Sequence, residues 1–174
     1  SCISRMERTG VVSTETAQVL GAVGMATRSS GVDIDTRFDF NDKWYTSLDV
    51  VKPFKATGDV HSRFKLRYKE IKQSMQIVKK LLDKLKEFRN EQILTNPNKT
   101  LAPNAFAISM TEGWRGEIVH IALTGANGEL LRYKMKDPSF NNWYMLAMAV
   151  RNNGVSDFPL CNKSFNLSYC GNDL

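Results

Sequence analysis

Seven apolar residues set the strongest constraint on this fold. Phe64, Tyr68, Ile71, Met75, Val78, Leu82 and Leu85 recur at spacings of 4, 3, 4, 3, 4 and 3. A helix turns once in about 3.6 residues, so this spacing gathers all seven on one stripe. The pattern predicts a single helix of roughly 30 residues, a rod about 45 Å long at 1.5 Å per residue. A stripe of that length needs cover. We expect it to pack inside the domain as the main strut of a helix bundle, with a coiled-coil pairing of two copies as the alternative.

The same segment carries the charge. Between residues 57 and 92 there are ten basic and five acidic residues, so +5 of the chain's net +6 sits there. Such a run suits an acidic subunit, anionic lipid, nucleic acid, or plain solvent on a helix face. Phe64 and Tyr68, the aromatics among the basic residues, belong to the apolar stripe. They are therefore expected inside, badly placed to stack on bases, and no nucleic-acid partner is expected.

Around the rod the signals are shorter. VVSTETAQVLGAVG reads as a short helix, with Ser13 as its N-cap, Glu15 in the first turn and Gly21 at its end. Residues 33–55 mix Asp, Asn, aromatics and Pro53 and read as an irregular, partly buried connection. Pro97 and Pro103, with Asn96, Asn98 and Asn104, mark a loop. EIVHIALTGANGELLRYKM has β-branched and alternating residues on both sides of Asn127–Gly128, which predicts a hairpin. FNNWYMLAMAVRNNG predicts a buried helix running to near Gly154, and the last twenty residues, with no clear period, an extended segment held by the core. The expected fold is mainly α, a helix bundle with a long central helix and a small antiparallel β hairpin or sheet, in a single domain over residues 1–174.

The 174 residues suffice for one domain with a real core, and 42% hydrophobic with 24% charged residues is ordinary for a globular chain. The longest apolar run has eight residues, WYMLAMAV, well short of the ~20 that a membrane helix needs, so no direct membrane span is expected. No basic-then-apolar leader opens the sequence, and we expect no signal peptide. The sequence opens on SCISRMERTG in mid-pattern, which we read as a portion of a longer protein. Cys2, Cys161 and Cys170 form no disulfide framework, and their odd number favours a reducing compartment.

Motif chemistry is sparse. Cys161 and Cys170 lie nine apart, and His61 and His120 are far from both, so no close-spaced metal-ligand pair exists. Buried structural cysteines, and a core His120 bonded to backbone, are expected instead. There is no GxSxG, no P-loop and no GxGxxG. One stretch stands out: EGWRGE, Glu112 to Glu117, with a lone arginine between two acids and two glycines. It reads either as a strand-opening turn with a surface ion pair, or as Arg115 aimed into a site.

Four stretches then coincide: LGAVGMATRSSGVDIDTR, GDVHSRFKLRYKEIKQSMQIV, EGWRGEIVHIALTGANGELLRYKMKDPSFNNW and VSDFPLCNKSFNLSYCGNDL. In order and spacing they resemble the large-subunit family that joins membrane-bound [NiFe] hydrogenases to respiratory complex I. The likeness is strongest to the formate hydrogenlyase large subunit and its energy-converting relatives. It covers nearly the whole chain and matches the C-terminal part of such a subunit. The family's N-terminal cysteine motif would precede residue 1.

The resemblance implies roles. The arginine of the matching E-x-x-R-G motif points toward the metal centre in hydrogenases and lies near the quinone cavity in complex I relatives, which makes Arg115 the candidate catalytic residue. A permanently charged fork there can orient a substrate or proton. Asp157 is the second candidate catalytic residue, as a partner of Arg115. Arg28, Ser30, Gly31, Asp35 and Arg37 are expected to form a turn locked by a buried Arg–Asp network, and residues 137–140 to cap the helix of Trp143. The hydrogenase closing motif, Asp-Pro-Cys-x-x-Cys, is replaced: Asn166 and Leu167 stand at Asp-Pro, Ser168 and Gly171 at the two cysteines, while Tyr169 and Asp173 keep their places. An alcohol and a glycine cannot substitute for two thiolates, so no [NiFe] centre and no cofactor within these residues is expected.

The implied protein is a large subunit of a membrane-associated, complex I-like oxidoreductase. Electrons would come from iron–sulfur clusters in a small partner subunit, and a quinone is a candidate acceptor. Partners would be that small subunit and membrane subunits; the location would be cytoplasmic, peripheral to the inner face of the membrane. This portion alone would be inactive. The alternatives are a non-catalytic scaffold subunit of the same complex and a true [NiFe] hydrogenase of the formate hydrogenlyase type.

Overall fold

The computed structural model describes residues 2–40, 45, 47–48, 50–88, 94 and 100–170. The loop residues Asn96, Pro97 and Asn98, the charged Arg89 and Glu91, and the tail residues Gly171 and Asp173 lie outside them. Seven α-helices stand among the described residues: α1 (Cys2–Met6), α2 (Thr14–Val19), α3 (Gly24–Ser29), α4 (Thr36–Asp39), α5 (Val60–Leu85), α6 (Pro138–Ala149) and α7 (Phe158–Phe165). Three strands, β1 (Phe106–Gly113), β2 (Gly116–Thr124) and β3 (Leu130–Lys136), form one antiparallel sheet in that order. The mainly helical expectation holds.

Local chemistry accounts for the helix ends. Ser13 caps α2 by accepting from the Thr16 amide at 3.1 Å. Gly21, at φ +61°, donates to the Gln18 carbonyl while Ala22 donates to Ala17, which closes α2 in a Schellman motif. Asp59 starts α5 by accepting from the Ser62 amide at 2.8 Å. Asp137 accepts from the Ser139 amide at 2.7 Å, with Pro138 in the first turn of α6, as the capping expectation for residues 137–140 requires.

The core lies between α2, α3, α6, α7 and the first turns of α5, where Ala17, Ala26, Val60, Met145, Ala149 and Phe165 pack together. Only Val60, Ser62, Arg63 and Leu66 of α5 are buried. The apolar stripe is not: its seven residues are between 42% and 60% exposed. The expected internal packing of the stripe is therefore corrected. Helix α5 docks on α1, α3 and α7 through a different face, and farther along it Gln73 accepts from the Val51 amide at 3.0 Å and Lys80 donates to the Leu48 carbonyl at 3.1 Å.

The small antiparallel β element is a three-stranded sheet, in which β1 joins the expected hairpin by pairing with β2 from Phe106↔Leu123 to Gly113↔Gly116. Two further expectations change. The tail after Gly154 is not extended throughout: a 3-10 turn at Val155–Asp157 leads into α7. Pro159 fits the first turn of that helix, and Cys161, Ser164 and Phe165, spaced three and four apart, form its buried face. Helix α6 is also shorter than expected, stopping at Ala149 rather than near Gly154.

Candidate functional site

The tip of the β1–β2 hairpin holds Arg115. Register fixes Glu112 opposite Glu117 and Gly113 opposite Gly116, which leaves Trp114 and Arg115 as a two-residue turn. The mount is held on two sides. Gly116, at φ +137°, lies directly on Gly24, at φ +69°; a Cβ on Gly24 would stand 2.2 Å from the Gly116 Cα. Only two bare backbones come that close. From the other side Asn142, 1% exposed on α6, accepts from the Val23 amide at 3.0 Å and donates to the carbonyls of Val23 and Arg115, both at 3.1 Å. One buried amide thus ties the entrance of α3 to the hairpin tip.

From that mount the Arg115 Nε donates to the carbonyl of Asn166, the residue that closes α7 in a left-handed conformation. Two more arginines converge on the same helix end. Arg67 donates to the carbonyls of Ser164 at 2.9 Å and Phe165 at 3.4 Å, and its guanidinium sits 5.3 Å from the Trp114 ring centroid. Arg63 donates to Ser164 Oγ and to the carbonyls of Gly58 and Gly10, all at 2.8 Å, and stacks 4.3 Å from the Phe165 ring. The final carbonyls of a helix carry partial negative charge, so cations settle there. Burial pushes the Arg63 guanidinium down to about 10, since its hydrogen-bond partners are neutral. Burial also lowers Arg67, against the pull of Glu70, and Arg115 lowers it further.

A cavity of about 330 Å³ opens beside this corner, lined by Phe64, Arg67, Trp114, Leu160, Lys163 and Asn166 among others. Its lining holds two cations and no carboxylate. The Arg67 Nε is buried there without a hydrogen-bond partner. This is an open, largely apolar slot with positive charge at one wall.

Glu112, the first acid of EGWRGE, works elsewhere. Arg28 donates to Glu112 at 2.8 Å and to Glu70 at 2.6 Å, and lies 3.3 Å from Asp35. Arg37 grips Asp35 at 2.6 Å. The network joins α3, α4, α5 and β1 and bears out the expected buried Arg–Asp turn, extended by two glutamates. Burial pushes the Asp35 carboxyl up, but the Arg37 hydrogen bonds and the Arg28 charge outweigh it and hold it below the usual range. Glu117 pairs with Lys136 at 2.9 Å, so one surface ion pair exists at the strand opening as well.

Asp157 does not meet Arg115. It pairs with Arg5 at 3.6 Å and accepts from the Gly154 amide at 3.2 Å, on the far side of α7. The pairing expected from sequence is corrected: Arg115 is satisfied by a backbone carbonyl instead. His120 contacts the Tyr133 hydroxyl across the sheet rather than backbone.

The closing residues make a poor seat for nickel and iron. The Ser168 amide donates to Ser139 Oγ at 2.9 Å, and Ser168 Oγ lies 3.4 Å from Cys170 Sγ. Cys170 and Cys2 are exposed. Cys161 is buried on the other side of α7, beneath Gly10 and Arg63, where burial raises its thiol. Among the described residues no group of three or more His, Cys, Asp or Glu is placed to hold a metal ion. One exposed thiol beside an alcohol does not fit a site that needs paired thiolates. Asn142, Arg63 and Arg67 join the site without a motif to mark them. The one available signal is a polar residue ahead of the apolar run of α6.

Comparison with known proteins places the chain in the hydrogenase-related, complex I-like class. A chain in the structure of the membrane-bound sulfane sulfur reductase, an archaeal respiratory membrane complex, superimposes with a TM-score of 0.85 over 98% of this chain and 47% of that one, at 22% identity. The chain belongs to the family of the respiratory-chain NADH dehydrogenase 49 kDa subunit, which matches residues 1–106. Among curated relatives, formate hydrogenlyase subunit 5 of Escherichia coli is 31% identical over 94% of this chain and 28% of its own length. An NADH-quinone oxidoreductase subunit of Syntrophobacter fumaroxidans is 27% identical over 89% and 41%. The membrane-bound hydrogenase alpha subunit of Pyrococcus furiosus is 32% identical over 88% and 39%. The chain thus spans less than half the length of these relatives. No described helix is long and apolar enough to cross a membrane.

Proposed function

We propose that this chain is part of the large subunit of a membrane-associated oxidoreductase that reduces a quinone without a [NiFe] centre. Electrons arrive from an iron–sulfur cluster of a small partner subunit, and the complex sits at the cytoplasmic face of the membrane through its membrane subunits. The quinone takes two electrons from that cluster and two protons from solvent, and leaves as quinol. Its ring lies between Phe64 and Trp114. Arg67 and Lys163 in the lining, with Arg115 beside Asn166, hold positive charge where the reduced oxygen gains negative charge, which favours reduction.

One observation carries this reading: Arg67 and Lys163 line a cavity that holds no carboxylate, and the rigidly mounted Arg115 donates to the carbonyl of Asn166, another residue of that lining. Relatives named as NADH-quinone oxidoreductase subunits support the acceptor class. The Ser168 and Gly171 positions argue against the hydrogenase alternative, and the cavity argues against a bare scaffold.

The test is steady-state reduction of a water-soluble quinone by the intact purified complex. Arg115→Ala is expected to lower kcat/KM on the order of 10²-fold, as loss of one oriented donor does in other sites. Arg115→Lys should restore little, because a point charge cannot reproduce the fork. The iron–sulfur signals of the partner should stay unchanged. Full quinone reduction by Arg115→Ala would overturn the proposal.

A further inference from the structure

A quinone that takes two electrons also takes two protons, and each comes from a group at the site or from water. Among the described residues, the cavity lining beside Arg115 offers four polar side chains: Arg67, Lys163, Ser164 and Asn166. Three of these are fixed in place or hold no acidic proton. Arg67 donates to the carbonyls of Ser164 at 2.9 Å and Phe165 at 3.4 Å. A guanidinium keeps its proton at neutral pH. Ser164 donates its hydroxyl proton to the Cys161 carbonyl at 2.6 Å and accepts from the Arg63 Nε at 2.8 Å. An alcohol so held braces the helix end and supplies no acid. Asn166 carries an amide, which does not ionise, and its backbone carbonyl accepts from Arg115.

Lys163 differs on each count. It stands in the last turn of α7 and is exposed. Its Nζ makes one long contact, 3.5 Å to Asn166 Oδ1. The lining contains no carboxylate to pin it. A flexible four-carbon stem lets an ammonium swing between a cavity and water. The chemistry of the two reactants matches as well. The oxygen of a reduced quinone is a phenolate, and phenols and alkyl ammonium ions release protons over nearly the same range. Exchange between those two classes is therefore nearly even, and a donor of that kind works in both directions of a reversible reduction.

We propose that Lys163 is the proton donor of the reduction, passing the proton of its ammonium to an oxygen of the reduced quinone. The electron pair comes from the partner's iron–sulfur cluster, one electron at a time. An N–H bond of the ammonium breaks, the O–H bond forms, and Lys163 is left as a neutral amine. The amine takes a replacement proton from water. The second quinone oxygen takes its proton from water directly, so two protons are consumed per quinol. Arg67, whose Nε is buried without a partner, donates a hydrogen bond to the substrate oxygen and keeps its charge. This rests on the quinone reading and deepens it, by separating the group that transfers a proton from those that supply a fixed field.

The test is steady-state reduction of a water-soluble quinone by the intact purified complex carrying Lys163→Arg or Lys163→Ala. The side chain is exposed, so both variants should keep the Tm of the unaltered complex. Lys163→Arg retains the charge and loses the transferable proton. Both variants are expected to lower kcat about 10²-fold, within the range of general acid catalysis, with a smaller change in KM. Methylamine should raise kcat of Lys163→Ala at least tenfold and leave Lys163→Arg unmoved. Lys163→Arg at the unaltered kcat would overturn the proposal, since charge alone would then suffice. So would a Lys163→Ala complex that methylamine does not rescue. Arg115→Ala in the same assay tells the two levels apart. If it loses quinone reduction while both Lys163 variants keep it, the quinone reading stands and the proton donor falls. If all three reduce quinone at the full rate, both fall.

Discussion

Replacing Asn142 by alanine isolates the tie that presents Arg115. The side chain makes three hydrogen bonds of 3.0–3.1 Å from a buried position. Its loss strands the Val23 amide and the carbonyls of Val23 and Arg115. Each net bond contributes about 0.5–1.5 kcal/mol, and each buried group left alone costs about 1–3 kcal/mol. Water that enters the vacated space recovers part of this, so the expected loss is about 2–4 kcal/mol. For a chain of this size that corresponds to a fall in Tm of roughly 5–15 °C. Asn142→Asp keeps the acceptor for the Val23 amide but sets a carboxylate against two carbonyls, so it should be no better. The neighbour Asn141 makes a surface bond of 2.8 Å to the Gly21 carbonyl and serves as control. Asn141→Ala should cost less than about 1 kcal/mol. The assay is thermal unfolding of the purified protein, with hydrogen exchange at the Gly116 amide as a local readout. Equal Tm values for Asn142→Ala and Asn141→Ala would refute the reasoning.

Two other perturbations follow from the same geometry. Gly24→Ala adds a Cβ 2.2 Å from the Gly116 Cα at a φ of +69°, where the left-handed backbone alone costs about 1–2 kcal/mol; Tm should fall at least as far as in Asn142→Ala, and a neutral or raised Tm would contradict the backbone contact. Asp35 has a folded pKa below its unfolded value of about 3.9, so its contribution to stability is present above that value and is lost as pH falls through the folded one. Denaturant titrations should therefore show stability falling below about pH 4, and Asp35→Asn should flatten that dependence; an unchanged slope would sink the assignment.

Sequence periodicity reveals α5 because seven positions repeat without a break. It does not reveal that the stripe faces outward, since a pattern states that a face needs cover and not what supplies it. Helix α7 leaves little trace in the sequence, because eight residues with a proline in the first turn show barely two turns of period. Strand β1 has its signal in the alternation of Phe106, Ile108 and Met110, close behind a proline-containing loop. In the candidate site, Arg115 is legible from its motif and from the family likeness. Arg63 and Arg67 are hidden inside a basic run, where charge counting cannot separate a solvated lysine from a buried guanidinium. The Arg115–Asp157 pair does not form because a contact across 42 positions depends on packing, and α7 turns Asp157 toward Arg5.

Nickel content of the intact, freshly purified complex tests the central claim most directly. On the proposed reading, in which the likeness to the hydrogenase closing motif puts Ser168 and Gly171 where two thiolates would stand, elemental analysis should find iron from the partner's clusters and no stoichiometric nickel. One nickel per large subunit, with hydrogen evolution to match, would contradict the account.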